Sequence, residues 1–438
     1  MANGIAHACV LRHPADLREC DADVPSRRFR LCCLDRSFPK SPFARAPRPP
    51  LVFTLFLVVF LDLIGFGMII PVFPFYAERI GVSPSSVIFF LGLYSAGQLV
   101  GAPLWGSLSD RIGRRPVLLV TLLANAASSW MLAYADTGVT LAISRIIAGL
   151  SAGNISAAYA YTTDITTDAT RPKALGLLGS AFGMGFILGP ALGGLLAGVD
   201  NDNGSALGRV AHAAAIMSLV AFGLTLGRLP ESLPPEKRRA PDTRRVGMGV
   251  YFTRPVLRGL LVATIVVVAA VALLQSTLAL YSAERFAVGP RTLGWMYGFT
   301  GIISVAVQAG IIGKLTTRFG PHKLATVGIV LIAIGMLGIP FANGIPLLLM
   351  ALSIFAVGSA LFNPSMSGLV AASAAPHERG GVLGAYQGAS SLGRVVGPVL
   401  GSGVASLVGL GGPFVLGAVV CVAGTVLVAR QRRKYAAA

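Results

Sequence analysis

Charge is scarce in this chain: Asp, Glu, Lys and Arg make up 12% of its 438 residues, where a soluble protein of this length carries about 25%. That scarcity excludes an ordinary soluble globule. The five histidines, at 7, 13, 212, 322 and 377, are scattered, and no nucleophile–base or metal-ligating constellation surrounds any of them. Enzymatic chemistry and a bound metal or other cofactor are therefore not expected. Four of the five cysteines (Cys9, Cys20, Cys32, Cys33) fall in the first fifty residues without metal-ligand spacing, and the fifth is Cys421, so a disulfide framework is not expected either. No GxxxxGK[ST] loop is present, which leaves ATP without an evident binding site. Residues 1–50 are rich in Arg and Pro and lack the apolar core of a signal peptide. They read as a disordered extension or a start placed too early.

What the chain has in abundance is apolar sequence. Hydrophobic residues make up 54%, and mean hydropathy is +0.73. Apolar runs of about 20 residues recur almost end to end, separated by short polar or Gly/Pro breaks. Twelve candidate helices result: 51–77, 85–108, 116–135, 138–163, 173–198 and 207–228, then 257–284, 291–314, 322–342, 345–372, 380–407 and 411–429. The expected organisation is a basic tail (1–50), a first six-helix bundle (51–228), a polar linker (229–256), a second bundle (257–430) and a short tail (431–438).

The net charge of +18 and pI near 10.4 invite a nucleic-acid partner, but the positions of the basic residues exclude one. They gather in alternate loops: Arg111, Arg114 and Arg115; Arg171 and Lys173; Lys237 to Arg245; Lys314, Arg318 and Lys323; Arg379; and Arg430 to Lys434. Arg79, Arg209, Arg285 and Arg291 are the few in between. That is the positive-inside pattern, and it places linker and termini in the cytoplasm, with the lipid bilayer as the chain's surroundings.

Internal repetition sets the architecture. Gly176, Gly185, Gly189, Pro190 and Gly193 recur 208 residues on as Gly384, Gly393, Gly397, Pro398 and Gly401. GSLSDRIGRR at Gly106 has its counterpart in GKLTTRFGPH at Gly313. Two such matches in register describe an all-α membrane protein of two pseudo-symmetric six-helix bundles, the plan of a secondary transporter with its site between the halves.

Four stretches carry a family resemblance: LDLIGFGMIIPVFP in the first run, GSLSDRIGRRP between the second and third, RIIAGLSAG (145–153) in the fourth and GLLGSAFGMGFILGPALGG (176–194) in the fifth. Together, in this order, the sequence resembles the twelve-span drug:proton antiporters of the major facilitator superfamily, the group that includes the tetracycline exporters. The resemblance covers roughly residues 51–430. It implies the major facilitator fold and alternating access, with a proton gradient rather than a cofactor as the energy source. By the same resemblance, a drug or small amphiphile would leave as protons enter, and the chain is expected to act as a monomer in a bacterial inner membrane. The fifth-span motif (Gly176, Gly185, Gly189, Pro190, Gly193, Gly194) is the pointer to export. A proton-linked metabolite carrier of the same fold is the alternative. The departures from tetracycline exporters concern cargo: Asn125 stands in the third span without an acid, the ninth span has none, and Ser304 occupies the place of a histidine, although Gln308 matches.

The residues also speak for themselves. Gly185, Gly189 and Gly193 line one helix face, which allows close and mobile packing at the seam between halves or a static helix contact, and Pro190 is expected to bend that helix. Gly106, Asp110, Arg111, Gly113, Arg114 and Arg115 offer a charged cytoplasmic gate, with a carboxylate near a helix N-terminus, or merely topogenic charge. In the second half Thr317 replaces the acid. A charge at the bilayer centre costs at least about 2.5 kcal/mol, so Asp62 and Arg145 are the candidates for proton coupling. Asp62, on one face with Phe66, Ile69 and Phe73, either carries a proton or makes a structural hydrogen bond or ion pair. Arg145, permanently charged, would modulate it if the two approach. Candidate cavity residues are Phe66, Tyr94, Gln98, Asn154, Gln275, Gln308, Asn363 and Arg394, each of which could serve instead as an interhelical contact. Phe73, Trp105, Trp295 and Tyr297 could add an aromatic lining, and Asp164 and Asp168 read as helix caps.

Overall fold

The computed structural model describes residues 49–167, 170–198, 205–238, 249–374 and 378–435; the tail 1–48, its four cysteines and Asp168 lie outside them. The described residues are helical almost throughout. Eleven helices are long and apolar enough to cross a membrane. The eighth run, expected as 291–314, is composite. It comprises a helix Pro290–Ala306, a single π turn Val307–Ile311 and a helix Ile312–Phe319.

The π turn has a readable origin. The second and eighth segments both start with proline in their first turn, Pro84 and Pro290, and end on glycines with positive φ, Gly113 (111°) and Gly320 (77°). Between Pro84 and Gly106 the second helix is regular, but Pro290 to Gly313 is one residue longer. A π turn absorbs a single extra residue while the flanking helices keep their register.

Two other expected helices are broken. The first consists of Pro49–Ile69 and Phe73–Arg79. Pro71 has no N–H to donate, and the Gly67 carbonyl accepts instead from Ile70 in a tighter turn. The break interrupts the single helix on which Asp62, Phe66, Ile69 and Phe73 are expected to share a face. The fourth consists of Gly138–Ser151 and Asn154–Ile165, hinged at Ala152 and Gly153. The remaining segments are Pro84–Ile112, Arg114–Ala133, Arg171–Ala197, Ser205–Arg228, Pro255–Phe286, Pro321–Gly338, Ile345–Ala372, Arg379–Val408 and Gly412–Tyr435. The last helix runs well past residue 429, into the expected tail, because VARQRRKY is made of good helix formers. The linker holds a short 3₁₀ turn (Pro235–Lys237) and a one-turn helix (Gly249–Phe252).

The contacts obey the repeat. The first span lies against the fifth and sixth, the third against the fourth and sixth, and the second against the fourth. Adding six to each number describes the second half: seventh with eleventh and twelfth, ninth with tenth and twelfth, eighth with tenth. The halves meet where the second span packs on the eleventh and the fifth on the eighth. Those seams are tight at the end away from the linker: Gly92 abuts Pro398, Gly401 approaches Ile88, and Gly194 abuts Gly294. Toward the linker, Gly176 and Gly183 of the fifth span, and Gly310 and Gly313 of the eighth segment, meet no atom within 4 Å among the described residues. The bundle is thus closed at one end and parts toward the linker.

Candidate functional site

The glycine stripe of the fifth span does not lie at the seam. Cβ atoms on Gly185, Gly189 and Gly193 would strike Leu63, Gly67 and Met68 of the first span, inside the same half. The seam uses the neighbouring face, where Ile187, Ala191 and Gly194 meet Gly301, Gly298 and Gly294. A helix turns 100° per residue, so motif spacing shows that the glycines share a face but leaves open which neighbour it meets. The eleventh span repeats the arrangement, with Gly393 and Gly397 against Ile265, Ala269 and Ala272 of the seventh. Pro190 sits inside an unbroken helix Arg171–Ala197.

Close backbone approach also builds the crossing of the second and fourth spans. Gly149 lies against the Tyr94 carbonyl, Gly101 against that of Leu150, and Gly153 against Gly101. Trp105 Nε1 donates to the Leu150 carbonyl at 2.8 Å, so its indole secures this crossing rather than lining an opening. The crossing sets the hinge at Gly153, and the next residue, Asn154, is turned into the bundle.

There it meets Asp62. The carboxylate is 8% exposed and is held by two amides from different helices: Asn125 Nδ2 donates to Oδ1 at 2.8 Å, and Asn154 Nδ2 donates to Oδ2 at 3.1 Å. Asn125 also donates to Ser218 Oγ at 3.2 Å. The first, third, fourth and sixth spans therefore converge on one acid. Two neutral donors satisfy the carboxylate oxygens without a countercharge, so a proton can come and go without breaking an ion pair.

Arg145 does not pair with Asp62. Its guanidinium lies over the Phe73 ring, 5.2 Å from the centroid, and the residue is 2% exposed. Nε and Nη2 are buried with no hydrogen-bond partner among the described residues. Phe66 and Tyr94 stack with ring centroids 4.4 Å apart, and Tyr94 lies within electrostatic reach of Asp62, Arg145 and Arg394. Arg394 is half-buried, donates to Ser391 Oγ at 2.9 Å, and has no acidic partner among the described residues. Gln275 is the one exposed position between Gly259 and Ala283 of the seventh span. Tyr297 stands beside it, its hydroxyl 3.5 Å from the Gln275 carbonyl. Gln98 is half-buried, while Gln308, in the π turn, and Asn363 are exposed. Asn363 donates to Ser359 Oγ at 3.3 Å.

At the linker side, the charged motif forms a clasp within the first half. Arg114 contacts Asp110, donates from Nε to Asp164 at 3.2 Å and from Nη1 to Ser109 Oγ at 2.7 Å. The acid at the third helix's N-terminus is Glu231 of the linker, not Asp110. The backbone N–H groups of Arg114 and Arg115 donate to its carboxylate at 2.8 and 3.1 Å. Gly113, at φ 111°, brings the chain close enough for this, since a Cβ there would strike Glu231. Asp164, expected as a cap, instead accepts from Arg114 and from Ser232 Oγ at 3.0 Å. Tyr161 donates to the Pro230 carbonyl at 2.7 Å. Gly106 is buried and Arg111 exposed. Arg115 reaches the Leu226 carbonyl at 2.6 Å. Among the described residues the second half shows no such clasp: its counterpart helix Ile312–Phe319 buries no residue, and the Thr317 hydroxyl donates within its own turn. The linker's far end is held instead by Arg254, which grips Glu378 at 2.7 and 2.8 Å.

Glu231→Gln removes the charge facing two helix N–H groups and is expected to lower thermal stability by about 1 kcal/mol. Glu236→Gln, at an exposed linker position, is expected to leave it unchanged. Thermal unfolding of the two purified variants compares them.

Two six-helix halves, an enclosed acid and a cavity opening between the halves define a secondary transporter fold. The profile of the Major Facilitator Superfamily matches residues 55–311 and 260–437, and the chain belongs to that superfamily. It is 28% identical over 357 residues to the class H tetracycline resistance protein of Pasteurella multocida, covering 80% of this chain and 87% of that one. It is 26% identical over 403 residues to multidrug resistance protein 2 of Bacillus subtilis, covering 88% and 97%. Among solved structures, the human organic anion transporter MFSD10 superposes with a TM-score of 0.67 at 24% identity, over 88% of this chain and all of that one.

Sequence reasoning singled out Asp62, Arg145 and Asn154 but missed Ser218 and Glu231 and gave Asn125 no contact with Asp62. A serine in an apolar run carries little signal. Glu231, an acid between prolines directly after the sixth span, was the legible one.

Proposed function

We propose that the chain is a proton-coupled secondary transporter that exports drugs or small amphiphilic molecules by alternating access, with Asp62 as the proton carrier. The observation that carries this reading is the Asp62 carboxylate itself: among the described residues, the only acid well inside a membrane helix, enclosed, and held by neutral amides from the third and fourth spans. A structural carboxylate would be expected to face a cation; this one faces groups that hold it in place through a change of charge. Similarity to relatives named for tetracycline and multidrug resistance supports export. Basic loops on the linker side support a cytoplasmic position for the linker and termini, by the positive-inside rule. The opening toward the linker is then the inward-facing state, in which a substrate would enter from the cytoplasm or inner leaflet. Asn125 in place of an acid argues for amphiphiles other than a metal-chelated antibiotic.

The test is proton flux in proteoliposomes that enclose a pH-sensitive dye. A panel of anionic, cationic and neutral amphiphiles is added under an imposed pH gradient. At least one compound is expected to provoke proton movement that an uncoupler collapses. If none moves protons, while reconstituted protein is monodisperse and correctly inserted, proton-coupled transport of amphiphiles is wrong.

A further inference from the structure

Among the described residues, three charged side chains lie well inside the membrane helices: Asp62, Arg145 and Arg394. Their surroundings are unequal. Both carboxylate oxygens of Asp62 are occupied by asparagine amides. Arg145 is buried, and two of its guanidinium nitrogens have no hydrogen-bond partner among the described residues, although an unsatisfied buried donor is normally avoided, more so on a cation. Arg394, in the eleventh span, has Ser391 as its hydrogen-bond partner and no carboxylate in ion-pair range among the described residues. Both cations lie within electrostatic reach of Tyr94, whose ring is stacked on Phe66. The second and eleventh spans that carry Tyr94 and Arg394 are packed on each other across the seam, with Gly92 against Pro398 one turn away. The interior thus carries an excess of positive charge. It lies beside an aromatic pair at the junction of the two halves.

Resting on the transporter reading, we propose that this is the binding site for the anionic group of an amphiphilic substrate, a carboxylate or sulfonate attached to an aromatic or aliphatic body. Arg394 takes the acid oxygens through its planar pair of N–H groups, with the Tyr94 hydroxyl as a further donor, and Phe66 and Tyr94 offer their rings to the body. Arg145 contributes charge to the same region: it repels a cationic substrate and favours an anionic one. The half-buried position of Arg394 suits this role, because a guanidinium with N–H groups to spare is open to a ligand entering between the halves. Bridging from the eleventh span to the second also gives the substrate different contacts when the seam rearranges, as alternating access requires.

The test is binding to the full-length protein in phosphatidylcholine nanodiscs, with three probes of one shape: 2-naphthoate, 2-naphthamide and 2-naphthylmethylamine. Naphthoate is expected to bind about tenfold or more tightly than the other two. Arg394→Gln should erase that preference, and Arg394→Lys should keep part of it. Equal affinities, tighter binding of the amine, absence of naphthoate binding or a preference that survives Arg394→Gln would each overturn the proposal. Should Arg394→Gln fail to fold, the wild type decides: naphthoate must protect Arg394 from phenylglyoxal, read by peptide mass spectrometry, and an unprotected Arg394 refutes the site. If naphthoate binding disappears in phosphatidylglycerol discs, a lipid headgroup is the occupant and the substrate proposal falls. Proton flux is measured separately: proton movement evoked only by cations or neutral compounds leaves the transport reading intact and removes the anion site. Naphthoate binding without any proton flux does the reverse.

Discussion

Asp62→Asn is expected to reduce uncoupler-sensitive substrate efflux to the level of empty vesicles while the protein folds and still binds substrate. The amide copies the neutral, protonated carboxyl in size and shape but cannot release a proton, so it holds the carrier in one charge state. The surroundings tolerate it. Asn125 and Asn154 each have two donors and an acceptor, and a flip of one amide restores a partner for residue 62. The cost to stability is therefore on the order of 1 kcal/mol or less. The decisive comparison is between net efflux against a gradient, which should vanish, and substrate exchange at equal concentrations, which should persist because exchange needs no net proton transfer. Wild-type coupled efflux in Asp62→Asn would remove Asp62 from the proton path and leave it a structural hydrogen-bond acceptor. Loss of both activities in a well-folded variant would mean that the charge serves the conformational change itself.

The second large effect concerns glycines of one motif that look equivalent in sequence. Gly193→Ala drives a methyl into the Met68 carbonyl, and the atoms it meets belong to backbone that cannot rotate away. The first and fifth spans must separate, a change of the overpacking kind that costs about 1–3 kcal/mol, in a helix pair held together by close contact rather than by water. Gly176→Ala meets no atom within 4 Å among the described residues, and alanine is the better helix former by about 1 kcal/mol. Gly193→Ala is thus expected to lower the yield of monodisperse protein and its unfolding temperature, whereas Gly176→Ala leaves them unchanged or raises them slightly. Equal loss from both would mean that Gly176 also packs closely in the folded protein. A transport defect in Gly176→Ala without a stability defect would mean that it packs closely only in a second state, where the linker side closes.

Much of the architecture was legible beforehand because the signals are local. Transfer of a charged residue into hydrocarbon costs so much that long uncharged runs can only be spans. Proline at 84 and 290 and glycine at 113 and 320 mark where helices start and stop. Asp62, Arg145 and Arg394 stand out for the same reason. Less legible were features that depend on one residue more or less. The π turn at Val307–Ile311 follows from a single inserted residue, and the break after Ile69 from Pro71 falling inside an apolar run that hydropathy reads as continuous.

The sequence by itself determined that the chain lives in a bilayer, that it consists of two related halves, and that few charges lie inside them. These follow from composition, spacing and repetition, which need no knowledge of neighbours. Only the tertiary structure decided who meets whom. Asp62 faces Asn125, Asn154 and Ser218 rather than Arg145; the glycine stripe faces the first span rather than the seam; and Glu231, far away in sequence, caps the third helix. Each depends on the rotation and depth of whole helices. A helix turns 100° and rises 1.5 Å per residue, so a shift of one residue moves a side chain to another neighbour. Packing across all the spans together selects that shift, and no single segment encodes it.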